Sequence, residues 1–480
     1  MAAEQGAYPT ATGEQPIATV EAKRRSSPLG PLRNRNFSLL FWGQLISVLG
    51  DQAYSLALPW TVLVVTGDPR QMAVVLAAEA LPRVLFLLIG GALADRLSPR
   101  VVMLAADLGR AAVVGALGVV LLSGLPPLWV VALLAALQGV GSGLFLPGTQ
   151  ALLPRTVDAD NLTAANGLMQ STQFLSLTLG PVLGGVATAA QAVLAFLADA
   201  VSFLISALTL FGIQLPARQA STSSEAQAAA TPIVVADATE GVENVAAAEV
   251  AAQKSGLFGD IGAGIGYAFG HPLLRTTMAV TVLANFAVSG AFNVALVVMI
   301  NQLTHDALTL GLVLGALGVG GIIGGLGAGL LGRLRRRGIV ALVLWLFEAL
   351  TIAAIPFAAE SAVQLPFGLG TLVQGIQPLQ ALSTATRIEL IAALFAITGF
   401  ILSIGDTMLL TIMQQRIAPE YLARVFSVQF VAGGITQPLS LLVAGYVVVA
   451  YGPGAAFLVA AALFLVAILI GFSSRALREV

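Results

Sequence analysis

Residues 90–100 read GGALADRLSPR. Asp95, Arg96 and Arg100 fall within six residues, directly after an apolar run, in a chain of 480 residues of which 57% are hydrophobic and only 10% charged. Soluble domains carry roughly 25% charged residues. Apolar runs near 20 residues long recur along the sequence, and a helix of about 20 residues crosses a hydrocarbon core of about 30 Å. The chain reads as an all-α integral membrane protein, and the charged turn marks one membrane face.

Breaks at charges and at Gly/Pro clusters divide the apolar runs into spans near 37–65, 72–93, 101–122, 128–152, 163–189 and 191–213, then 273–301, 308–331, 338–358, 390–414, 424–449 and 455–472. These are twelve transmembrane helices in two pseudo-symmetric bundles of six. The expected organisation is an N-terminal tail (1–36), a first bundle (37–213), a linker (214–272), a second bundle (273–472) and a C-terminal tail (473–480). The linker is rich in Ala, Ser and Thr and has no sustained apolar face, which suits a flexible tether. Within it, residues 257–271 place Leu257, Ile261, Ile265 and Phe269 on one helical face, as in a helix lying at the membrane surface. Residues 360–389 are long for a loop and read as a partly apolar external or re-entrant segment.

Basic residues are retained on the cytoplasmic side of a membrane. With both termini inside, 19 of the 23 Lys and Arg fall on that side, Arg70 and Arg387 outside, and Arg83 and Arg110 within spans. The polar N-terminus has no short apolar core with a small-residue cleavage site, so no cleaved signal is expected. Two lysines against 21 arginines suit a GC-rich bacterial genome and hence a bacterial plasma membrane. The net charge of −1 speaks against nucleic acid as a partner, and the absence of Cys removes disulfides, thiol catalysis and thiolate metal sites.

GALADRLSPR resembles the signature between the second and third helices of the major facilitator superfamily. Gly91, Leu93, Asp95, Arg96 and Arg100 match it, while Ser98 and Pro99 replace the usual glycine and basic residue. SVLGDQAYSLALPW (47–60), ADLGRA (106–111), LPGTQALLPRTVDADNLTAANGL (146–168), LGPVLGG (179–185) and DAVSFLISA (199–207) are similar to the drug:proton antiporter branch that holds macrolide efflux proteins and the enterobactin exporter. That resemblance implies alternating access driven by the proton gradient, without a cofactor. It also implies that Gly91, Asp95, Arg96 and Arg100 latch the two halves in the outward-facing state. Asp95 would pair with Arg96 or Arg100 and face a helix N-terminus near Leu422 to Phe426. Gly180, Pro181, Gly184 and Gly185 resemble the antiporter signature of the fifth helix, where small residues admit a close neighbour and proline kinks the helix.

An ionisable side chain at bilayer depth costs at least about 2.5 kcal/mol, so each one is a functional candidate. Asp51, Glu79, Arg83, Asp107, Arg110, Asp199, Glu348 and Asp406 fall within spans. Spacings of four and three put Glu79 with Arg83 and Asp107 with Arg110 on shared helical faces, where each acid can be neutralised locally. Asp51 has no base within a turn of its own helix, and a buried acid without a partner tends to hold a proton. Asp51 and Glu79 are therefore the expected proton carriers, followed by Glu348 and Asp406. The amides Gln44, Gln138, Gln170, Gln173, Asn285 and Asn293, set among Phe, Leu and Met, suit a cavity for a bulky lipophilic substrate.

Other classes lack their chemistry. No G-x-x-x-x-G-K-[ST] is present for an ATP-driven pump. His271 and His305 stand far apart without an H-E-x-x-H, and no metal site or enzyme is expected. The expected protein is a transporter, acting as a monomer in the bilayer, that exchanges protons for a small lipophilic, drug-like compound. A siderophore or metabolite exporter, and a uniporter or importer of the same fold, remain open alternatives.

Overall fold

The computed structural model describes residues 29–122, 126–158, 161–214, 266, 269–331, 337–359, 382–417, 425, 428–429 and 431–478, with the side chains of 88, 91, 92, 94–96 and 329–331 excepted. Twelve long helices run through these residues: α1 (Arg35–Thr66), α2 (Pro69–Arg96), α3 (Pro99–Leu122), α4 (Leu128–Leu152), α5 (Leu162–Ala190), α6 (Ala192–Gly212), α7 (Pro272–Thr304), α8 (Ala307–Leu331), α9 (Arg337–Ala358), α10 (Thr384–Arg416), α11 (Val431–Tyr451) and α12 (Pro453–Ser473). Eleven of them are long and apolar enough to cross a membrane; α2, with Glu79 and Arg83, is outside that set. In lipid a helix satisfies its own backbone, which is why apolar runs of this length fold this way. The surface-helix stretch 257–271 and the segment 360–389 lie largely outside the described residues.

Helix packing repeats between the halves. In the first half, α1 packs on α5 and α6, α2 on α4, and α3 on α4 and α6. In the second, α7 packs on α11 and α12, α8 on α10, and α9 on α10 and α12. The halves meet along two seams related by the same exchange, α2 with α11 and α5 with α8.

The turns repeat as well. At the end of α1 the Thr66 hydroxyl donates to the Val62 carbonyl (2.7 Å), Gly67 takes a left-handed φ of 65°, and the Asp68 carboxylate accepts from Arg70 N (2.9 Å) to cap α2. At the end of α7 the Thr304 hydroxyl donates to Ile300 (3.1 Å), His305 takes a φ of 54°, and Asp306 accepts from Leu308 N and Thr309 N (3.1 Å each) to cap α8. A left-handed residue ends one helix and an Asp starts the next, so each chain reversal needs only two residues. Beside Asp68, the Arg70 guanidinium hydrogen-bonds its carboxylate and holds it below the usual carboxylate range.

Glycines set the helix separations. A Cβ on Gly139 of α4 would collide with the Glu79 carbonyl of α2, and one on Gly399 of α10 with the Leu317 carbonyl of α8. On α5, Gly180 and Gly184 lie against Gln52 and Ala53 of α1, while the Pro181 carbonyl and Gly185 meet Gly311, Ala307 and Leu308 of α8. One helix thus touches its own bundle and the opposite one on adjoining faces. α7 carries a π-helical bulge at Ala291–Ala295, and Ser440 of α11 accepts from Gly290 N (2.8 Å) and donates to the Phe286 carbonyl just before it. That exchange satisfies backbone groups beside the bulge, as lipid requires. α11 itself is interrupted at Thr436, ahead of Gln437 and Pro438.

Gly139→Leu is expected to force α2 and α4 apart and to cost about 1–3 kcal/mol, the usual range for overpacking. Gly109→Leu, where nothing lies within 4 Å of an added Cβ, is the matched control. Thermal unfolding of the purified proteins should show a lower midpoint for the first alone.

Candidate functional site

The charged site grows from α3. Its Arg110 is 2% exposed and donates to Asp107, one turn earlier and fully buried, and to Asp51 of α1 at 3.3 Å. The guanidinium lies between two rings, Phe145 of α4 at 4.3 Å and Phe203 of α6 at 4.0 Å. It takes two cation–π contacts as well as two carboxylates, a combination that suits the weakly hydrated, planar guanidinium better than an ammonium. Gly141 leaves room for the Arg110 stem, since a Cβ there would stand 2.5 Å from its Cγ. Gly50 does the same for Asp199 of α6, whose Oδ1 a Cβ would meet at 2.5 Å.

Asp199 is the residue that sequence reasoning leaves without a role. It is fully buried and accepts from the Ser202 hydroxyl at 3.2 Å, while its Oδ2 has no hydrogen-bond partner. The Oδ2 of Asp107 is likewise unpartnered. Tyr54 of α1, with its hydroxyl buried, stands within electrostatic reach of Asp51, Glu79 and Asp199. Asp51 is 32% exposed and Glu79 partly so, whereas Asp107 and Asp199 are sealed. The cluster therefore has two inner acids and two that reach its surface.

Two expectations about local pairing need correction. Asp51 does have a base, but Arg110 arrives from another helix, where spacing along α1 could not reveal it. Arg83 does not close on Glu79; its Nη2 donates to Gln437 Oε1 of α11 at 2.7 Å, across the seam between the halves. In the second half, Glu348 of α9 is fully buried with both carboxylate oxygens unpartnered, and Asp406 of α10, which is exposed, acts on it electrostatically. Of the six amides, Gln44 and Gln138 are buried within the first bundle, while Gln170, Gln173, Asn285 and Asn293 are exposed.

For the charged turn, Gly91, Asp95 and Arg96 belong to α2, with side chains outside the described residues; Leu422 to Phe426 are likewise outside them apart from Val425. Arg100 donates to the carbonyls of Leu210 (2.8 Å) and Phe211 (2.6 Å), so its guanidinium caps the C-terminus of α6 within its own half. A cation there meets unpaired carbonyls and the negative end of the helix dipole. Among the described residues no group of three or more His, Cys, Asp or Glu could hold a metal ion.

Both seams close at the end away from the termini. Gly445 of α11 rests on Pro69 and Ala73 near the start of α2, and Gly434 approaches Val84. Gly185 and Gly311 meet near the end of α5, and the contact runs back as far as Thr178 and Gly318. Toward the end that bears the termini, Asn166, Gln170, Ser171 and Gln173 of α5 are exposed.

A six-plus-six helical repeat with ionisable side chains inside its bundles is the organisation of a secondary transporter. Residues 40–377 match the Major Facilitator Superfamily, and the chain belongs to that family. It is a multi-pass membrane transporter of small molecules, not an enzyme. Macrolide efflux protein A of Streptococcus pyogenes is 23% identical over 408 residues, covering 85% of this chain and 87% of that protein. The multidrug efflux pump Tap of Mycolicibacterium fortuitum is 26% identical over 428 residues, 88% and 91% of the two chains. Among solved structures, a point mutant of the nucleoside transporter NupG superposes with a TM-score of 0.62 at 10% identity over 92% of this chain and 100% of that one, a likeness of fold.

Removing one member of a buried ion pair strands the other and costs about 3–5 kcal/mol. Arg110→Ala should therefore lower the thermal midpoint of the purified protein sharply, and adding Asp107→Asn to it should recover part of the loss.

Proposed function

We propose that the chain is a proton-coupled exporter of bulky lipophilic, drug-like compounds in a bacterial plasma membrane. The observation that carries this reading is the charge balance of the first bundle. Asp51, Glu79, Asp107 and Asp199 supply four carboxyls, against which stand the two guanidiniums of Arg83 and Arg110. An uncompensated charge in a low-dielectric interior is costly, so an excess of two carboxyls favours the uptake of protons. Asp51 and Glu79, at the surface of the cluster, exchange them, while Asp107 and Arg110 hold the arrangement together. No cofactor enters; the proton gradient supplies the work. Glu348 and Asp406 form a second acidic site in the other half.

Placement of Lys and Arg supports a cytoplasmic location for both termini, with α2 as a twelfth crossing. The bundles 37–213 and 273–472 then rock about the seams, tethered by 214–272, in a protein that works as a monomer. On this orientation the seams are shut toward the outside, and the polar first half of α5 faces the cytoplasm. Gly91, Asp95, Arg96 and Arg100 serve the alternate state, in which the cytoplasmic seam closes. The names of the two relatives support lipophilic export over uptake of a polar nutrient.

Pump-deficient cells expressing the protein should accumulate less macrolide and lipophilic dye than control cells. A protonophore should abolish the difference, and Asp51→Asn should lack it. Accumulation unchanged across a broad panel, or raised, would sink the proposal.

A further inference from the structure

Arg83 has two acceptors within reach and uses the less obvious one. On its own helix Glu79 lies four residues back, a spacing at which a carboxylate and a guanidinium meet across one turn. The bond made instead runs to the neutral amide of Gln437, in the opposite half. Gln437 follows the interruption of α11 at Thr436 and precedes Pro438, so it sits where the helix can flex rather than within an unbroken ladder. Around it the seam is made of small groups, Gly434 against Val84 and Gly445 against Ala73, and Arg83–Gln437 is the side-chain hydrogen bond that crosses it among the described residues.

We propose that Gln437 is the coupling residue of the transport cycle: Arg83 is shared between Glu79 and Gln437, and the proton on Glu79 decides which of them holds it. This rests on the proton-coupled reading above. With Glu79 neutral, Arg83 crosses to Gln437 and the outer seam stays shut. With Glu79 ionised, a charge-assisted bond within α2 outcompetes the neutral amide, and the seam loses its polar tie. The sign suits antiport, since the protonated carrier is the one that returns to the outside-closed state and the deprotonated carrier is free to open outward. The titratable and charged groups near Glu79 are Asp51 and Tyr54 of α1 and Arg83 of α2, with Asp199 of α6 and Arg110 of α3 behind them. α4 meets α2 there through Gly139 and Gly143, and α11 through Gly434 and Gln437.

The chain has no cysteine, so Val74→Cys and Tyr446→Cys, both at exposed sites on α2 and α11, give a clean pair of spin labels. Distances between them in lipid nanodiscs, measured from pH 5 to pH 9, report the seam. The short-distance population should fall as pH rises in the parent pair and stay high at every pH in Glu79→Gln. Gln437→Leu should lower it about tenfold relative to the open form even at pH 5, the scale of one lost hydrogen bond to a charged group. Gln437→Glu, which puts a charged acceptor in place of the neutral amide, should keep the seam shut at high pH and controls for whether the site tolerates substitution. A parent-like pH response in Gln437→Leu overturns the inference. Protonophore-sensitive efflux by the parent, assayed alongside, tests the coupling reading separately: if efflux ignores the protonophore while the labels still respond to Gln437→Leu, that reading fails and the Arg83–Gln437 tie stands.

Discussion

The guanidinium of Arg110 is the constraint around which the first bundle is arranged. A cation sealed from water needs charge and hydrogen bonds at its edge and something other than lipid at its faces. Asp51 and Asp107 accept its hydrogen bonds, and the rings of Phe145 and Phe203 pack against it. Those four partners come from α1, α3, α4 and α6, so satisfying one side chain fixes the relative positions of four helices. Gly50 and Gly141 follow from it, because their Cβ atoms would occupy the space of Asp199 and of the Arg110 stem.

The acids in turn limit where movement is possible. A bundle stitched through a buried charge network resists internal change, which leaves the seams between bundles as the compliant surfaces. There the contacts are glycine against backbone, as where Gly311 meets the Pro181 carbonyl and Gly445 meets Pro69. Such surfaces pack closely and carry few directional bonds, so two of them can separate and rejoin without leaving stranded polar groups. The Arg110 network ties α1, α3, α4 and α6 into one unit, and under the rocking motion proposed above that unit moves whole against the second bundle.

Much of this is legible in the sequence and some is not, for identifiable reasons. Helix lengths follow from the runs of apolar residues, and most ends fall within a few residues of those expected, because a span is a local property. α10 begins earlier, at Thr384, where the Ser383 side chain caps it. Pairing of charges can be read only where it stays on one helix. Spacing of three identifies Asp107 with Arg110, but spacing of four suggests Glu79 with Arg83, and the partner of Arg83 lies 354 residues away. Asp199 carries no local cue to a partner, since nothing near it in sequence is charged. The Thr-Gly-Asp and Thr-His-Asp turns at 66–68 and 304–306 are in plain view, and their equivalence emerges only from the shared left-handed residue and Asp cap.

Carrying the register of those matched turns down each helix places Leu317 where Glu79 stands and Gly321 where Arg83 stands. The packing agrees, because the carbonyls of Glu79 and Leu317 both rest on a glycine, Gly139 of α4 and Gly399 of α10. The backbone repeat is therefore kept while the charge is not. At the α5–α8 seam, the counterpart of the α2–α11 seam, the second half offers Gly315 and Gly318 to Thr178 and Val182 in place of a cation and an amide. Symmetric packing gives the two halves matched seams that can open and close together. Asymmetric charge then makes one seam answerable to the buried acids and leaves the other as its passive partner, which is the least that a chemical signal in one bundle needs in order to move both.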